Sequence, residues 1–290
     1  MSGMDKAAVG ILGASGLVGA NALNLLAAAG EKVVAFSRTP PSNHGSQVDW
    51  RRLPGTDIPP GEQIPKWLCA CPIWAVPAFL PLLKASGAQR LVVLSSTSVV
   101  TKMTSSESSE RSLAERLAHS EVQIESWCRR NQIEWVILRP TLIYGGGRDK
   151  SVAEIARFIR RFGFFPLLSS AEGLRQPVHA ADVAAAAIAA LNLVPPVGRI
   201  YNLSGAEILP YRELVRRVFV TQGRRQRMLV VPARLFGWAI ALMRLWPRYR
   251  KWSVAMVYRM NCDLVFDHSE ARRDLGFSPQ NFILGAEDVS

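Results

Sequence analysis

Several features that would assign this chain to other classes of protein are absent from its 290 residues. Its four cysteines lack the spacing of metal ligands, and they indicate reduced thiols rather than a disulfide scaffold. The opening apolar run does not resemble a signal peptide, and the longest later one, Leu235–Met243, is too short to span a bilayer. These absences predict a globular protein of the cytoplasm, with no metal site.

Acidic residues are scarce in one long stretch of the chain. Between Arg212 and Arg259 the only acid is Glu213, and the formal net charge of the whole chain is +12. A basic surface favours ligands that bear phosphate, nucleic acid or anionic lipid. Nucleic acid ranks last, because the chain lacks the interleaved aromatic and glycine motifs of nucleic-acid readers. We therefore expect a small-molecule partner and no nucleic acid.

What the chain does contain is a glycine-rich turn near its start. An apolar strand over 9–12 leads into glycines at positions 13, 16 and 19, and residues 21–29 have the pattern of a helix. Such glycines let the backbone approach a pyrophosphate, which the amino end of the following helix then holds. The alternative is a tight turn without a ligand, but the flanking strands favour nucleotide binding. The expected diphosphate loop consists of Gly13, Ser15, Gly16, Leu17 and Val18.

The end of the second strand favours NADP(H) over NAD(H). Enzymes that select NAD usually place an acid there, about 20 residues beyond the glycines, to bind the ribose 2′-hydroxyl. This chain has Ser37, Arg38 and Thr39 instead. An arginine pairs with a 2′-phosphate, which an acid would repel; the alternative is a solvated surface arginine. We expect these three residues to lie at the 2′-phosphate.

The rest of the chain alternates between apolar strands and helical segments. Strands are indicated at 48–50, 67–72, 90–94 and 133–140, with a long amphipathic helix over 113–130. This alternation is typical of an α/β fold with a doubly wound, parallel sheet of the Rossmann type. Ligands of such sheets lie beyond the carboxyl ends of the strands. The residues expected near the nicotinamide are therefore Pro72, Ser95, Pro140, Leu142 and Ile143.

The motifs together resemble the short-chain dehydrogenase/reductase superfamily, in its extended or atypical branch. They are GASGLVG at 13–19, LSSTSV at 94–99, LRPTLIYGGG at 138–147, QPVHAADVA at 176–184 and ARRDLGFSP at 271–279. The resemblance is strongest to the NAD-dependent epimerases, dehydratases and reductases of nucleotide sugars. It implies a Rossmann sheet of seven strands with a small carboxyl-terminal substrate lobe. The NADP(H)-binding domain would cover 1–147 and about 176–205, and the lobe 148–175 and 206–290.

One part of the family pattern is missing. In the family, a Ser/Thr follows the fifth strand, and a Tyr-x-x-x-Lys pair on the next helix exchanges a proton with the substrate oxygen. Thr97 matches the Ser/Thr position, but residues 109–130 contain neither tyrosine nor lysine. Tyr144 is a candidate for the acid, although packing and substrate contact are its alternative roles. For His119, Glu121 and Lys102 a catalytic role competes with simple solvation.

The resemblance implies an NADP(H)-binding oxidoreductase, epimerase or dehydratase that acts on a nucleotide sugar or a related carbonyl or hydroxyl compound. Thr97 and Tyr144 are its catalytic candidates. The missing pair gives an alternative, a catalytically inactive NADPH-binding sensor or assembly protein. Another alternative is a peripheral membrane reductase of a lipidic substrate, held to the membrane through the basic and apolar segment 232–252. The sequence does not indicate an oligomeric state.

The charge at residue 38 allows a direct test of the cofactor preference. Changing Arg38→Asp should weaken NADP(H) binding more than NAD(H) binding, because it removes a charge-assisted contact worth roughly 1.5–3 kcal/mol. Binding titrations of both variants with both cofactors measure the difference. Equal losses for the two cofactors would show that Arg38 does not contact the 2′-phosphate.

Overall fold

A sheet of seven parallel strands lies at the centre of the molecule. The computed structural model describes residues 8–41, 48–53, 62–194, 198–232 and 259–289. The strands are β1 (Val9–Leu12), β2 (Val33–Ser37), β3 (Val48–Arg52), β4 (Lys66–Cys69), β5 (Arg90–Leu94), β6 (Glu134–Pro140), β7 (Ile143–Tyr144), β8 (Phe165–Leu168), β9 (Leu174–Arg175), β10 (Val178–His179), β11 (Arg199–Leu203), β12 (Leu209–Pro210) and β13 (Met228–Val231).

The order of the central strands is β11-β6-β5-β4-β1-β2-β3. The other strands form three small pairs, β7 with β10, β8 with β13 and β9 with β12. The helices are α1 (Leu17–Ala28), α2 (Leu80–Ala85), α3 (Ser98–Thr101), α4 (Ser108–Arg130), α5 (Val152–Phe162), α6 (Ala180–Leu191), α7 (Tyr211–Thr221) and α8 (Ser269–Leu275). Short 3₁₀ helices cover Ile73–Phe79, Arg259–Asn261 and Ala286–Asp288. The predicted Rossmann-type α/β fold is confirmed.

Both faces of the central sheet are covered, which explains why its inner strands are largely apolar, whereas the edge strand β3 carries Asp49, Arg51 and Arg52. Successive strand residues point to opposite faces. In β1, Ile11 packs with α1, α6 and α8 on one face, and Leu12 packs with α2, α4 and the 3₁₀ helix over 73–79 on the other. The two resulting clusters enclose the sheet. Because all seven strands are parallel, their carboxyl ends share one edge of the sheet.

A third apolar cluster lies outside the central sheet. It contains residues of α5, α7, β8 and the chain's last described segment, including Phe158, Phe219 and Phe282. Tyr144 is buried in the same cluster. The three phenylalanines belong to the predicted carboxyl-terminal lobe, and Tyr144 lies just before its first segment. The boundaries given above for the two lobes remain a proposal.

Several element boundaries differ from those expected. Strand β4 ends at Cys69, before Pro72, and helix α1 begins at Leu17, ahead of residue 21. Helix α4 begins at Ser108, ahead of the expected residue 113. No helix was expected in the residues just before 113, since serine favours turns. The added turn begins where buried Glu110 accepts a hydrogen bond from the Ser105 hydroxyl and pairs with Arg259.

None of the helices in the described ranges is long and apolar enough to cross a membrane. The segment 232–252, through which the membrane alternative would act, lies, apart from Pro232, outside the described residues.

A buried ion pair joins helix α4 to the sheet. The Glu121 carboxylate accepts hydrogen bonds from both the Nε and an amino group of Arg139 and from the Ser95 hydroxyl. The Glu121 side chain is 6 % exposed and that of Arg139 is 22 % exposed. The solvated alternative for Glu121 is therefore wrong. Its carboxylate ties α4 to the ends of β5 and β6.

Breaking this pair should cost far more stability than breaking a surface pair on the same helix. Glu121→Gln should lower the free energy of unfolding by about 3 kcal/mol, because it leaves the Arg139 charge partly buried without its counter-ion. Glu125→Gln is the matched control, since its partner Arg129 is 69 % exposed, and should cost less than about 1 kcal/mol. Chemical denaturation measures both. Small, equal losses would contradict this account.

Candidate functional site

The strand order changes direction between β1 and β4. From β1 the chain winds outward through β2 and β3, and then crosses to β4 on the other side of β1. Ligands of doubly wound sheets bind at such a switch point, outside the carboxyl ends of the strands. The loops that follow β1 and β4 touch here, because a Cβ placed on Gly13 would lie 2.8 Å from the backbone nitrogen of Cys71. The sheet therefore directs the glycine-rich turn into the expected binding crevice.

The glycine-rich turn needs glycine at two positions. Gly13 has φ +82°, and a Cβ at position 19 would lie only 2.3 Å from the Gly13 carbonyl oxygen. That same oxygen accepts a hydrogen bond of 2.9 Å from the backbone N–H of Gly16. Helix α1 begins at Leu17, and no side chain at its N-cap accepts a hydrogen bond from its first turn. Its amino end is therefore equipped to bind an anion.

The residues expected at the 2′-phosphate meet beside this turn. The hydroxyl oxygens of Ser15 and Ser37 are 2.8 Å apart, although the residues are separated by 22 positions. The backbone N–H of Thr39 donates to the Ser37 hydroxyl over 3.2 Å. Ser37 is buried, whereas Ser15, Arg38 and Thr39 are exposed. The structure thus brings the hydroxyls of Ser15 and Ser37 together beside the exposed guanidinium of Arg38. Residues 37–41 include no acidic side chain.

Thr97 lies at the end of β5, beside the end of β6. Both its backbone N–H and its hydroxyl donate to the carbonyl oxygen of Pro140, over 3.1 and 3.2 Å. Its hydroxyl proton is therefore engaged, and its oxygen lone pairs are the groups that remain for another hydrogen bond. The hydroxyl of Ser95 instead donates to Glu121 over 2.5 Å.

The other residues predicted near the nicotinamide occupy the same edge of the sheet. Pro72 is exposed in the loop after β4, and Pro140 ends β6. Ile143 packs against the α1 side of the sheet, and Leu142 packs against the cluster of the carboxyl-terminal lobe. These placements agree with the expected location.

Tyr144 is packed rather than open. Its ring is 1 % exposed and meets His179 and Phe282 edge to face, with centroids 5.1 and 4.9 Å apart. Its hydroxyl lies 3.5 Å from the carbonyl oxygen of Asn281. Burial raises the pKa of Tyr144 to about 12. A phenol in these surroundings holds its proton firmly at neutral pH.

The stretch of α4 at or near 113–121, where the resemblance would place the family's tyrosine and lysine, contains neither residue. Leu117 is 3 % exposed, and it packs with Leu113 in the cluster between α4 and the sheet. His119 is exposed, and the buried Glu121 is paired with Arg139. The two leucines have no group that could transfer a proton, and the Glu121 carboxylate is engaged in its ion pair.

A charged cluster at the start of α4 was missed from the sequence. The Lys102 ammonium lies 3.6 Å from a carboxylate oxygen of Glu110, whose other oxygen pairs with Arg259. Burial lowers the pKa of Lys102 below its usual value, and the nearby charge of Arg259 lowers it further. Solvation was one of the two alternatives for Lys102, and its side chain is 20 % exposed. No local pattern links residues 149 positions apart, so only the fold reveals the cluster.

His179 and Asp182 have structural contacts. The Nδ1 of His179 accepts a hydrogen bond from the backbone N–H of Ala181 and so caps α6. The Asp182 carboxylate accepts from the backbone N–H of Gln280. Both side chains hold the re-entry of the chain into the sheet.

Comparison with known proteins gives a family for part of this chain. Residues 78–204 match the NAD dependent epimerase/dehydratase family. This range includes β5, α4 and β6, and therefore Thr97 and the segment that lacks the tyrosine and lysine.

Two curated relatives match over shorter lengths. An uncharacterized protein of Sinorhizobium fredii is 27 % identical over 209 residues, which are 68 % of this chain and 50 % of that protein. The mitochondrial NADH dehydrogenase [ubiquinone] 1 alpha subcomplex subunit 9 of Arabidopsis thaliana is 29 % identical over 119 residues. That match covers 41 % of this chain and 24 % of the subunit. The chain thus spans at most about half the length of these relatives.

Solved structures share the fold over nearly the whole chain. An epimerase of Methanothermobacter thermautotrophicus has a TM-score of 0.71 at 13 % identity, covering 98 % of this chain and 90 % of its own. The UDP-glucuronic acid 4-epimerase of Bacillus cereus, solved in complex with NAD, has a TM-score of 0.70 at 14 % identity, covering 97 % and 95 %. The predicted resemblance is confirmed: residues 78–204 match the NAD dependent epimerase/dehydratase family, and nearly the whole chain shares the fold of these solved epimerases.

Proposed function

We propose that this chain binds NADP(H) at the turn over 13–19 and acts as an oxidoreductase, epimerase or dehydratase on a nucleotide sugar or a related carbonyl or hydroxyl compound. The observation that carries the proposal is the contact between the Ser15 and Ser37 hydroxyls, 2.8 Å apart, beside exposed Arg38. It joins the diphosphate loop to the end of β2. A dinucleotide bound to the loop extends its adenosine ribose toward that strand end.

The preference for NADP(H) follows from the charge at this strand end. A carboxylate there would bind the 2′-hydroxyl of NAD and repel a 2′-phosphate. Here the exposed groups are a guanidinium, hydroxyls and the backbone around Thr39. These groups suit an anion. The Bacillus cereus epimerase was solved in complex with NAD; for this chain we assign a preference for NADP(H) to the charge and hydroxyls of residues 37–39.

The nicotinamide, when bound, supplies the hydride chemistry, and the chain's own residues position the substrate. Because the Thr97 hydroxyl donates to the Pro140 carbonyl, we infer that it accepts a hydrogen bond from a substrate hydroxyl and so orients that oxygen. The Glu121 carboxylate binds both Ser95, after β5, and Arg139, near the end of β6, and so holds together the two strand ends next to Thr97. We assign Tyr144 to packing, in view of its burial between two rings.

A second candidate function is supported by the composition of α4. The apolar Leu113 and Leu117 fill the region where the family's tyrosine and lysine stand, so binding without turnover fits this chain. One relative, matched over 41 % of this chain, is a subunit of a mitochondrial NADH dehydrogenase. In this candidate the chain is an NADPH-binding sensor or assembly subunit.

Turnover with bound cofactor separates the two candidates. The purified chain is incubated with NADPH or NADP⁺ and a panel of nucleotide sugars and simple carbonyl compounds. Nicotinamide absorbance reports net redox change, and chromatography of the sugars reports epimerisation or dehydration. An enzyme changes at least one of these signals, whereas stable NADPH binding with neither signal supports the non-enzymatic candidate.

For an active protein, Thr97→Val should reduce turnover by about a hundredfold, because the substrate oxygen loses its positioning contact. Cofactor affinity should be unchanged. The matched control is Thr101→Val, because Thr101 is the last residue of α3, the short helix that begins directly after Thr97. A Thr97 variant with wild-type turnover would remove this residue from the site.

Two substitutions at Tyr144 separate packing from proton transfer. Tyr144→Phe should cost less than about 1 kcal/mol of stability, since the hydroxyl contact is long. Tyr144→Ala should cost about 3–5 kcal/mol through the cavity it leaves. Thermal and chemical unfolding measure both. If Tyr144→Phe kept its stability but lost turnover, the phenol would be the proton donor after all.

A further inference from the structure

An arginine outside the predicted site reaches the glycine-rich turn. Arg148 follows the glycines at 145–147, and an amino group of its guanidinium donates to the carbonyl oxygen of Ser15 over 2.5 Å. The residues are 133 positions apart, so this contact crosses from the predicted lobe to the diphosphate loop. The side chain of Leu17 also lies within 3.9 Å of a Cβ placed on Gly146. Arg148 and its loop therefore lie against the start of α1.

The loop that presents Arg148 is held on both sides. Gly145, Gly146 and Gly147 all have positive φ, at 135°, 58° and 63°. Buried Asp288 accepts hydrogen bonds from the backbone N–H groups of Gly146 and Gly285, over 2.7 and 2.9 Å. On the other side, buried Asp149 accepts from the N–H of Ser151 over 2.8 Å and from that of Ala153. The backbone that carries Arg148 is thus held by a buried carboxylate on each side.

A second arginine reaches the same loop. The guanidinium of Arg157, on α5, donates to the carbonyl oxygen of Gly147 over 3.3 Å, while its Nε is buried with no hydrogen-bond partner. No ion pair formed within the described ranges includes Arg148 or Arg157. Two cations thus lie at this loop, and among the described residues their hydrogen-bond acceptors are the carbonyl oxygens of Ser15 and Gly147.

We propose that Arg148, backed by the charge of Arg157, binds the diphosphate of the dinucleotide beside the amino end of α1. This inference rests on the proposed function. A phosphate oxygen is a stronger acceptor for a guanidinium than the neutral carbonyl that Arg148 contacts here. The diphosphate is common to NAD(H) and NADP(H). Arg148 therefore strengthens binding of both cofactors, whereas Arg38 distinguishes between them.

The test compares Arg148→Ala and Arg148→Gln with Arg161→Ala, an exposed arginine in the last turn of α5. Glutamine keeps a donor for the Ser15 carbonyl and removes only the charge. Equilibrium titrations with NADPH and with NADH should show both Arg148 variants bound about tenfold more weakly, which is about 1.4 kcal/mol. The loss should be equal for the two cofactors. Arg161→Ala should bind as the wild type does.

Each other outcome overturns a defined part of the account. If Arg148→Gln binds like the wild type, the charge is unnecessary and Arg148 only supports the loop. A loss confined to NADPH would move the contact from the diphosphate to the 2′-phosphate. Thermal unfolding of the variants without cofactor should match the wild type, and a lowered midpoint for both would also indicate a structural role. If the wild type binds neither cofactor, the proposed function itself fails, and this inference with it.

Discussion

The close contact between Gly13 and Gly19 is the constraint on which the candidate site depends. The positive φ of Gly13 turns the chain sharply at the end of β1, and its carbonyl oxygen then lies under Gly19 with no room for a Cβ. A backbone oxygen cannot move aside as a flexible side chain can. The contact therefore sets the direction of α1, whose amino end faces the switch point between β1 and β4. It also places Ser15 beside Ser37 and within reach of Arg148.

Features that depend on local sequence were predicted well. Apolar runs bounded by turn residues identified the central strands, because strands buried on both faces carry apolar side chains throughout. The glycine spacing identified the turn, since only glycine tolerates its geometry. Ser37 and Arg38 lie at the carboxyl end of β2, as predicted, because the apolar run that precedes them marks where the strand stops. In each case the decisive residues lie within about one element of each other.

Features that depend on contacts between distant residues were not predicted. A glutamate on a helix has the same local pattern whether it is solvated or, like Glu121, paired in the interior with Arg139. The charged cluster of Lys102 and Glu110 includes Arg259, which is distant in sequence. The carbonyl oxygen of Ser15 likewise accepts a hydrogen bond from distant Arg148. Such pairs are formed only when the fold brings the elements together. The hydrogen bond from Ser105 to Glu110 and the ion pair of Glu110 with Arg259 also explain why helix α4 begins earlier than expected.

The proposed cofactor site and the missing proton donor involve different parts of the chain. The groups proposed to hold the dinucleotide are the turn, the strand end at residues 37–39 and Arg148, whereas residues 109–130 of α4 contain neither tyrosine nor lysine. Binding of NADP(H) is therefore the central claim. Calorimetric titration of the purified wild-type chain with NADPH and with NADH tests it most directly. We predict saturable binding of one dinucleotide per chain, tighter for NADPH; no saturable binding of either, or tighter binding of NADH, would contradict the account.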